Sequence, residues 1–333
     1  MFIKHPPKPC VFSSAIAILG AGSWGTALAI HLALKGQIVH LWGDKSDHME
    51  ILQASRFNPN YLSNIRLPSL ISCFSDLAKA IENVTDILIA VPSAAFDIIL
   101  QKLKPLFTNN QHLLWASKGL CKKQWLHQVI QTILGDIPSA VLSGPTFASE
   151  IARGLPSLAI IASSCKNLAQ KLCDRFQSQY FRISPSQDVM GVELAGAMKN
   201  IFAIAVGILE GLGMKANTQS ALMTNGLSEI IKLGLALGCQ FETFLGSAGI
   251  GDLILTCTNN QSRNRRFGLA IGRGETIQKA QQSIDQTIEG VETSSAIIQH
   301  AIQHKIQLPI CTRVYQILYE AYSPQTLLDA LLQ

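Results

Sequence analysis

The stretch "AIAILGAGSWGTALA", residues 15–29, decides the fold. It opens with an apolar run typical of a strand, continues with Gly20, Gly22 and Gly25 in a G-x-G-x-x-G pattern, and then becomes helical. In this context the first glycine permits a tight turn, the second lets the backbone approach a pyrophosphate, and the third lets the helix pack against the strand. Because the first N–H groups of the helix have no partner within it, the stretch predicts a phosphate-binding turn for a dinucleotide.

The rest of the first half alternates apolar runs with helical segments. Turn residues end each run, and strands separated by helices predict βαβ units and a parallel sheet. The runs lie at residues 38–42, 85–92, 112–119, 139–145 and 157–163.

From about Val189 onward the periodicity is helical, and few strand signals remain. The long segments there are apolar on more than one face, as is typical of helices inside a bundle. We therefore predict an α/β fold in which an N-terminal Rossmann-type, doubly wound sheet is followed by an all-helical C-terminal domain. The predicted divisions are an N-terminal extension at 1–14, a dinucleotide-binding domain at 15–193 and a helical substrate-binding domain at 194–333.

Composition narrows the class of protein. The chain has 333 residues, of which 48% are hydrophobic and 15% charged, and this is enough for two domains with a sizeable core. Its net charge of +5 comes from scattered Lys and Arg residues, which argues against a nucleic-acid partner and suits a small anion. The eight cysteines form no C-x-x-C pair, so we interpret them as reduced thiols of a cytoplasmic protein. The low charge content leaves room for a homodimer contact in the helical half.

The N-terminus superficially resembles a signal peptide, because "KHPPK" precedes an apolar run that ends in small residues. Cleavage there would destroy the glycine turn, so we interpret residues 1–14 as an extension. The best candidate for a membrane span, "NIFAIAVGIL" at 200–209, has half of the roughly 20 residues that a span requires. We therefore predict a buried helix there and no membrane span.

An acidic residue follows the second predicted strand. Asp44 lies 19 residues after Gly25, near the distance at which an acid binds the ribose hydroxyls of NAD in such folds. The alternative is that Asp44 caps the helix that begins in "DKSDHMEIL". The residues alone leave both interpretations open.

Two lysines occupy positions that suit ligand binding or acid–base catalysis. Lys118 follows a strand in "WASKGL", at the carboxyl end of the sheet where ligands bind, although a solvated lysine would produce the same pattern. Lys199 is predicted at the start of the apolar helix "ELAGAMKNIFAIAVG", where burial would lower its pKa towards a range useful for acid–base work. The alternative is a lysine that extends from a helix end into water. Asn200 beside it can donate and accept hydrogen bonds.

Three further segments carry polar candidates. "SGPTFASE" at 143–150 is a strand-end loop with small hydrogen-bond donors. Asp252, after the glycine turn of "GSAGIGDLILTC", can pair with a lysine or cap a helix. "NQSRNRRFG" at 260–268 joins three arginines to Ser262 and Asn264, and this combination suits the binding of an anion.

His300 and His304 lie four residues apart on a predicted helix, as in some metal sites. Neither an HExxH glutamate nor a third candidate ligand accompanies them, so no metal is predicted.

Taken together, the motifs resemble a known family. "GAGSWGTALA", "SKGL", "SGPTFASE", "LAGAMKNIFAIAVGI", "GIGDLILTC", "SRNRRFG" and "IEGVETS" occur in the order and approximate spacing of bacterial NAD(P)-dependent sn-glycerol-3-phosphate dehydrogenase, over about residues 15–320. The resemblance implies reversible, NAD(P)H-dependent reduction of dihydroxyacetone phosphate to sn-glycerol 3-phosphate, which feeds phospholipid biosynthesis. The implied cofactor is NAD(H) or NADP(H), and the implied partner is this small substrate.

The same resemblance implies roles for individual residues. Lys199 matches the family's proton-transferring lysine, and Lys118 and Asp252 complete the catalytic group. Substrate contacts are implied for Lys118, Gly144, Thr146, Lys199, Asp252, Ser262, Arg263 and Asn264. Besides the turn glycines and Asp44, cofactor contacts are implied for Ser23, Trp24, Lys118, Ala148, Arg263 and Glu289.

One departure from the family bears on the cofactor. Its members often carry Arg or His where Asp44 stands, and an acid there repels a 2′-phosphate. We therefore predict a preference for NADH, with Lys45 as a counterweight. Two other functions stay open at this point: a related Rossmann dehydrogenase of a hydroxy acid or acyl-CoA, and a non-catalytic dinucleotide sensor.

Overall fold

The computed structural model describes residues 14–284 and 287–332. The predicted extension therefore lies outside the described residues, apart from Ser14, and so does Cys10. The seven cysteines within the described ranges are free thiols.

The described chain begins with strands and helices in alternation and ends in helices. The strands are β1 (Ala15–Leu19), β2 (Val39–Trp42), β3 (Phe57–Asn58), β4 (Leu62–Arg66), β5 (Ile71–Phe74), β6 (Val84–Ile89), β7 (His112–Trp115), β8 (Ser139–Ser143), β9 (Ser157–Ala162) and β10 (Phe181–Ser186). The helices of the first half are α1 (Ser23–Leu34), α2 (Ser46–Ser55), α3 (Leu77–Ile81), α4 (Phe96–Leu103), α5 (Leu126–Leu134), α6 (Ala148–Ala152) and α7 (Lys166–Phe176). Those of the second half are α8 (Val189–Gly211), α9 (Ala216–Ala236), α10 (Phe241–Leu245), α11 (Asp252–Thr258), α12 (Arg263–Gly272), α13 (Ile277–Gln282), α14 (Glu289–His304), α15 (Pro309–Tyr319) and α16 (Leu327–Leu331).

Eight strands form one sheet in the order β10-β9-β8-β7-β6-β1-β2-β5, while β3 and β4 pair separately. The predicted Rossmann-type sheet followed by a helical half is confirmed. Strand β1 lies between β6 and β2, so the chain winds outward from it in both directions. The carboxyl ends of β1, β6, β7 and β8 consequently meet at one edge, where ligands bind in folds of this kind.

The prediction of a parallel sheet is wrong at one strand pair. Strand β9 runs antiparallel to β8, with Leu142 opposite Ile161, and β10 then pairs parallel to β9. Two parallel neighbouring strands must be joined by a crossover connection, which is usually a full α-helix. The connection between β8 and β9 carries only the five-residue helix α6 among its regular elements, and the chain turns back alongside β8.

Helix α8 is the central element of the helical half. It is 23 residues long and its most apolar 18-residue window has a mean hydropathy of 1.6, so by length and composition alone it could cross a membrane. The predicted buried helix is confirmed, but the argument from the length of the apolar stretch fails, because the helix extends well beyond residues 200–209. The whole of its most apolar window is buried inside the protein. The predicted domain division between 193 and 194 falls within this helix.

Helices α8 and α12 pack at unusually short range. A Cβ added at Gly207 of α8 would lie 2.1 Å from the carbonyl oxygen of Arg265, and one added at Gly268 of α12 would lie 2.0 Å from that of Ile204. Glycine lets the two backbones touch because it has no side chain to separate them. This contact brings the start of α12 beside the middle of α8.

Among the described residues, the buried apolar side chains form three clusters. Two cover the two faces of the large sheet, and the third fills the helical half around α8. The cluster around α8 includes Leu120 and Trp125 of the first half, and one sheet cluster includes Val192 and Ala248 of the second, so apolar packing joins the two halves.

Candidate functional site

The glycine turn after β1 has the geometry that the sequence predicts. Gly20 has φ of +122°, and a Cβ there would lie 2.8 Å from the carbonyl oxygen of Ala90 at the end of β6. A Cβ at Gly25 would lie 1.9 Å from the carbonyl oxygen of Gly20, so the helix can approach the strand only with glycine there. At Gly22, by contrast, an added Cβ would meet nothing within 4 Å. The open side of Gly22 is the place where a ligand can approach the backbone.

The start of α1 fits the phosphates of a dinucleotide. Gly22 occupies the N-cap without a capping side chain, and the first turn holds no acidic residue, so no side chain of this turn competes with a ligand for the first N–H groups of the helix. Ser23 and Trp24 lie in this first turn, and the buried Nε1 of Trp24 has no hydrogen-bond partner among the described residues. The glycine turn and the first turn of α1 therefore suit the pyrophosphate that the sequence predicts to bind there.

Asp44 lies just beyond the carboxyl end of β2 and is exposed. Lys45, not Asp44, occupies the N-cap of α2, and no side chain caps that helix. The interpretation of Asp44 as a helix cap is therefore wrong, and its contact with ribose stays a prediction.

A buried carboxylate holds two lysines together where the two halves meet. Asp252 accepts a hydrogen bond of 2.6 Å from Lys118 Nζ at Oδ2 and one of 2.5 Å from Lys199 Nζ at Oδ1. Lys118 also donates to the carbonyl oxygen of Gly144 at 2.9 Å, and Lys199 to Thr256 Oγ1 at 2.9 Å. The Lys118–Asp252–Lys199 cluster thus joins the strand ends of β7 and β8 to helices α8 and α11.

Local structure places each member of the cluster. Asp252 opens α11 directly after a π-helical turn at Ser247–Gly251, in which Gly249 lies so close to Phe244 that an added Cβ would be 2.1 Å from its carbonyl oxygen. Gly196, one turn before Lys199 on α8, leaves room for Ser143 at the end of β8, because an added Cβ would lie 3.1 Å from Ser143 Oγ. Asp252 therefore pairs with lysines, which was one of the two alternatives for it.

Lys199 lies in the middle of α8, and not at the start of a helix as predicted. Only 7% of it is exposed, so the alternative of a lysine reaching water from a helix end is wrong as well. The prediction placed Lys199 too near the helix start, although the helical periodicity already begins at about Val189. Lys118 is 16% exposed in its side chain and is held by Asp252, which also excludes a freely solvated lysine.

Burial and charge set the proton affinities in the cluster. Burial lowers the pKa of Lys199 to about 8, although the charge of Asp252 works in the opposite direction. Burial alone would raise the pKa of Asp252, but the two ammonium groups outweigh it and hold that pKa below its ordinary value. The carboxylate is therefore ionised at neutral pH, and with both lysines protonated the cluster carries one net positive charge.

The predicted anion-binding loop turns out to be the beginning of helix α12. Ser262 is the N-cap, and its hydroxyl accepts a hydrogen bond from the N–H of Arg265. Arg263 is the first helical residue, and Asn264 is buried. Asn264 donates to Asn200 Oδ1 at 2.9 Å and accepts from the N–H of Gly290 at 2.9 Å. The start of α12 is thereby tied to the residue that follows Lys199.

The remaining candidate residues lie around the Lys118–Asp252–Lys199 cluster, the start of α12 and the glycine turn. Gly144 has φ of +142°, and Thr146 Oγ1 donates to its carbonyl oxygen at 3.2 Å. Ala148 opens the short helix α6, and its side chain packs against the apolar cluster on one face of the sheet. Glu289 opens α14 and accepts hydrogen bonds from the N–H and the hydroxyl of Ser93, which follows β6. Burial raises the pKa of Glu289.

Thr256 and Ser93 were missed from the sequence alone, and Asn200 was identified there without its partner. Thr256 lies one helical turn after Asp252 in "GDLILTC", so the i, i+4 spacing could have indicated it. Ser93 follows a strand at the carboxyl edge and could have been noticed for that reason. Asn200 was recognised as able to form hydrogen bonds, but Asn264 lies 64 residues away and could not be paired with it from the sequence.

The two histidines do not form a metal site. His300 Nε2 lies 3.2 Å from the carbonyl oxygen of Lys123, and its ring packs against Trp125. Within residues 14–284 and 287–332, no group of three or more His, Cys, Asp or Glu side chains is placed to hold a metal ion.

Family models cover both halves of the chain. The model for the NAD-dependent glycerol-3-phosphate dehydrogenase N-terminus matches residues 15–169, and the model for the corresponding C-terminus matches residues 188–329. The chain belongs to the NAD-dependent glycerol-3-phosphate dehydrogenase family. It is an NAD(P)-dependent oxidoreductase, and this decides against a non-catalytic dinucleotide sensor and against a dehydrogenase of another hydroxy acid or acyl-CoA.

Individual relatives agree with this dehydrogenase family. The chain is 46% identical over 323 residues to the glycerol-3-phosphate dehydrogenase [NAD(P)+] of Coxiella burnetii (strain RSA 331 / Henzerling II), covering 97% of each chain. It is 45% identical to the enzyme of the same name from Thioalkalivibrio sulfidiphilus, covering 92% of this chain and 93% of that one. The crystal structure of the Coxiella burnetii enzyme superimposes with a TM-score of 0.93, at 46% identity, over 96% of this chain and 99% of that one. A ketopantoate reductase from Ralstonia eutropha, at 15% identity and a TM-score of 0.62, shares the fold alone.

Proposed function

We propose that the Lys118–Asp252–Lys199 cluster is the catalytic centre at which this dehydrogenase reduces dihydroxyacetone phosphate to sn-glycerol 3-phosphate. The observation that carries the proposal is one buried carboxylate that pairs with two ammonium groups at the meeting point of the sheet edge and the helices. A structural ion pair needs a single lysine, whereas a second buried cation is costly and makes the site attractive to an anion.

The turn glycines and the start of α1 hold the cofactor in this proposal. The first N–H groups of α1 bind the pyrophosphate, and Gly22 leaves the space open for it. Ser23, Trp24, Ala148 and Glu289 complete the contacts that the family resemblance implies. When bound, NAD(P)H supplies the hydride for the carbonyl carbon of the substrate.

Lys199 donates the proton that the reaction consumes. The carbonyl oxygen of the substrate gains negative charge as its carbon is reduced, and an ammonium group with a pKa of about 8 is mostly protonated at neutral pH yet releases its proton readily. In the reverse direction the neutral amine accepts the proton of the hydroxyl group. Thr256 and Asp252 hold the Nζ atom in place for both directions.

Lys118 and Asp252 stabilise the charge that develops beside Lys199. Asp252 fixes both ammonium groups through separate oxygens, so neither lysine has to reorganise as the reaction proceeds. Lys118 adds a second positive charge facing the same carboxylate, and its bond to the carbonyl oxygen of Gly144 links it to the predicted substrate loop.

The substrate phosphate binds at the start of α12. Ser262, Arg263 and Asn264 combine a helix N-terminus with a guanidinium group and an amide, all of which attract a phosphate. Because Asn264 is tied to Asn200, this anchor keeps a fixed distance from Lys199. Its binding energy can therefore orient the carbonyl group at the other end of the substrate.

The activity is tested by the absorbance at 340 nm of the purified protein with dihydroxyacetone phosphate, in parallel with NADH and NADPH. We expect rapid loss of absorbance and formation of sn-glycerol 3-phosphate. No turnover with either cofactor, in protein that binds them, would refute the proposed function.

Two wider features of the enzyme belong to the same proposal. We place it in the cytoplasm, where free thiols persist and NAD(P)H is available, and cell fractionation tests this. We place a homodimer contact on the helical half, where Leu235, Phe241, Leu245 and Ile254 on α9, α10 and α11 are 44–52% exposed. Sedimentation equilibrium of the wild type and Phe241→Glu tests the dimer, and a monomeric wild type would refute it.

A further inference from the structure

The β3–β4 hairpin reaches the glycine turn through one buried side chain. The hairpin follows α2 and pairs only with itself, and no residue of it was assigned to the site. Asn58 at the end of β3 is nevertheless 0% exposed, which is rare for an asparagine unless its amide has a specific partner.

The amide of Asn58 binds the middle of the turn. Its Nδ2 donates to the carbonyl oxygen of Ala21 at 2.9 Å and to Thr26 Oγ1 at 2.8 Å. Thr26, which is also fully buried, lies on α1 with its hydroxyl 3.4 Å from the same carbonyl oxygen. A carbonyl oxygen can only accept, so the contact fixes which end of the amide is NH₂.

The oxygen of the same Asn58 amide has no partner among the described residues, so an asparagine at this position lowers the stability of the fold. Asn58 Oδ1 is buried and accepts no hydrogen bond within the part of the chain that the structure describes. An apolar side chain of similar size would avoid that cost, so packing alone does not account for an asparagine here.

Holding the carbonyl of Ala21 also aims the N–H of Gly22. The two groups belong to one planar trans peptide unit, in which C=O and N–H point in opposite directions. With the oxygen bound to Asn58, the N–H of Gly22 points to the far side of the peptide. An added Cβ at Gly22 would meet nothing within 4 Å, so the backbone is accessible there.

We propose that Asn58 is a positioning residue for the cofactor: its carboxamide fixes the Ala21–Gly22 peptide so that the N–H of Gly22 is set to bind the pyrophosphate. Without Asn58, this peptide unit can rotate, because glycine tolerates many backbone conformations, and binding must then order it. The inference rests on the proposed function only in taking the ligand to be a dinucleotide.

The test compares Asn58→Asp with Asn60→Asp by direct binding of NADH, ADP-ribose and adenosine. Asn58→Asp keeps the shape but replaces the donor with an acceptor that repels the carbonyl oxygen. We expect it to weaken NADH and ADP-ribose by at least about tenfold, the effect of a lost charge-assisted hydrogen bond, and to leave adenosine within about twofold. Asn60 is exposed on the same hairpin, so Asn60→Asp adds the same charge and should change none of the three.

Kinetics separate positioning from a structural role. At saturating NADH, Asn58→Asp should retain kcat and the KM for dihydroxyacetone phosphate, while the KM for NADH rises. Thr26→Val, which removes the second acceptor, should give a smaller loss in the same direction. If Asn58→Asp does not fold, Asn58→Ala takes its place.

Unchanged affinity for ADP-ribose in a folded Asn58 variant overturns the proposal, and so does an equal loss of adenosine. The binding results do not depend on whether the wild type reduces dihydroxyacetone phosphate. Failure of the positioning role can therefore be distinguished from failure of the proposed activity.

Discussion

The glycine turn and the Lys118–Asp252–Lys199 cluster solve different problems by opposite means. The turn is one short stretch of chain, and it works because Gly20, Gly22 and Gly25 lack side chains. The cluster is drawn from three distant segments, and it works through the charges at the ends of long side chains. A site made of backbone is thus encoded locally, whereas a site made of side chains exists only once the fold is complete.

The same difference predicts how each region fails when it is altered. Changes in the cluster should lower the rate of the chemical step and leave the cofactor bound. Changes in the turn should lower cofactor affinity or stability and leave the chemical step intact at saturation. The predictions below are ordered from the largest expected effect to the smallest.

Replacement of the proton donor should have the largest effect. Lys199→Met removes the ammonium group and keeps the apolar stem, so we expect kcat for reduction to fall by about 10³-fold, within the usual contribution of a positioned acid. NADH affinity, measured by fluorescence titration, should stay within about twofold because the turn is untouched. Lys102→Met on the exposed face of α4 is the control. A Lys199→Met enzyme that turns over near the wild-type rate would remove Lys199 from the mechanism.

Two alanine substitutions in the turn should separate stability from binding. Gly25→Ala places a Cβ 1.9 Å from a backbone oxygen, so we expect a loss of at least about 2 kcal/mol in the free energy of unfolding. Gly22→Ala meets nothing, and its φ of −76° suits alanine, so stability should stay within about 0.5 kcal/mol.

The affinity for NADH should also distinguish the two alanine variants of the turn. Gly22→Ala should weaken NADH by about tenfold despite its stability, because the new methyl group occupies the approach of the pyrophosphate. Chemical denaturation and NADH titration of both variants provide the measurements. Equal stability losses in the two variants would contradict the assigned division of roles.

Asp44 should produce the smallest effect. An exposed acid at the end of β2 is partly screened by solvent, so we expect the ratio of kcat/KM for NADH over NADPH to favour NADH by only about fivefold. Asp44→Asn should reduce this ratio towards one, while kcat with NADH stays unchanged. A wild-type preference for NADPH would refute the role of Asp44.

Much of this fold could be predicted because its signals are local. The turn glycines, the strand β1 and the apolar runs of the sheet each lie within a few neighbouring residues. The direction of β9 could not be predicted, since a buried strand has the same apolar pattern whether it runs parallel or antiparallel to its neighbour. The separate hairpin of β3 and β4 has few apolar residues and produced no signal.

The candidate site was only partly predictable for a related reason. Lys118, Lys199 and Asp252 could each be singled out, but the partner of Asp252 stayed open because its bonds span 134 and 53 residues of sequence. The apolar length of α8 was underestimated because Lys199 interrupts the apolar residues, and the sequence does not show that this lysine is buried and paired with Asp252. Gly196 leaves room for Ser143 at the end of β8, and this close approach appears only in the folded structure.

The most direct test of the central claim is the pH dependence of kcat/KM for dihydroxyacetone phosphate at saturating NADH, in the wild type and in Asp252→Asn. Reduction needs the protonated form of Lys199, so the wild-type rate should fall as the pH rises through about 8. The charge of Asp252 raises the pKa of Lys199, so its removal should move this fall to lower pH by about one unit or more. A fall at the same pH in both enzymes, or no fall near pH 8 in the wild type, would contradict the claim that this cluster sets the proton transfer.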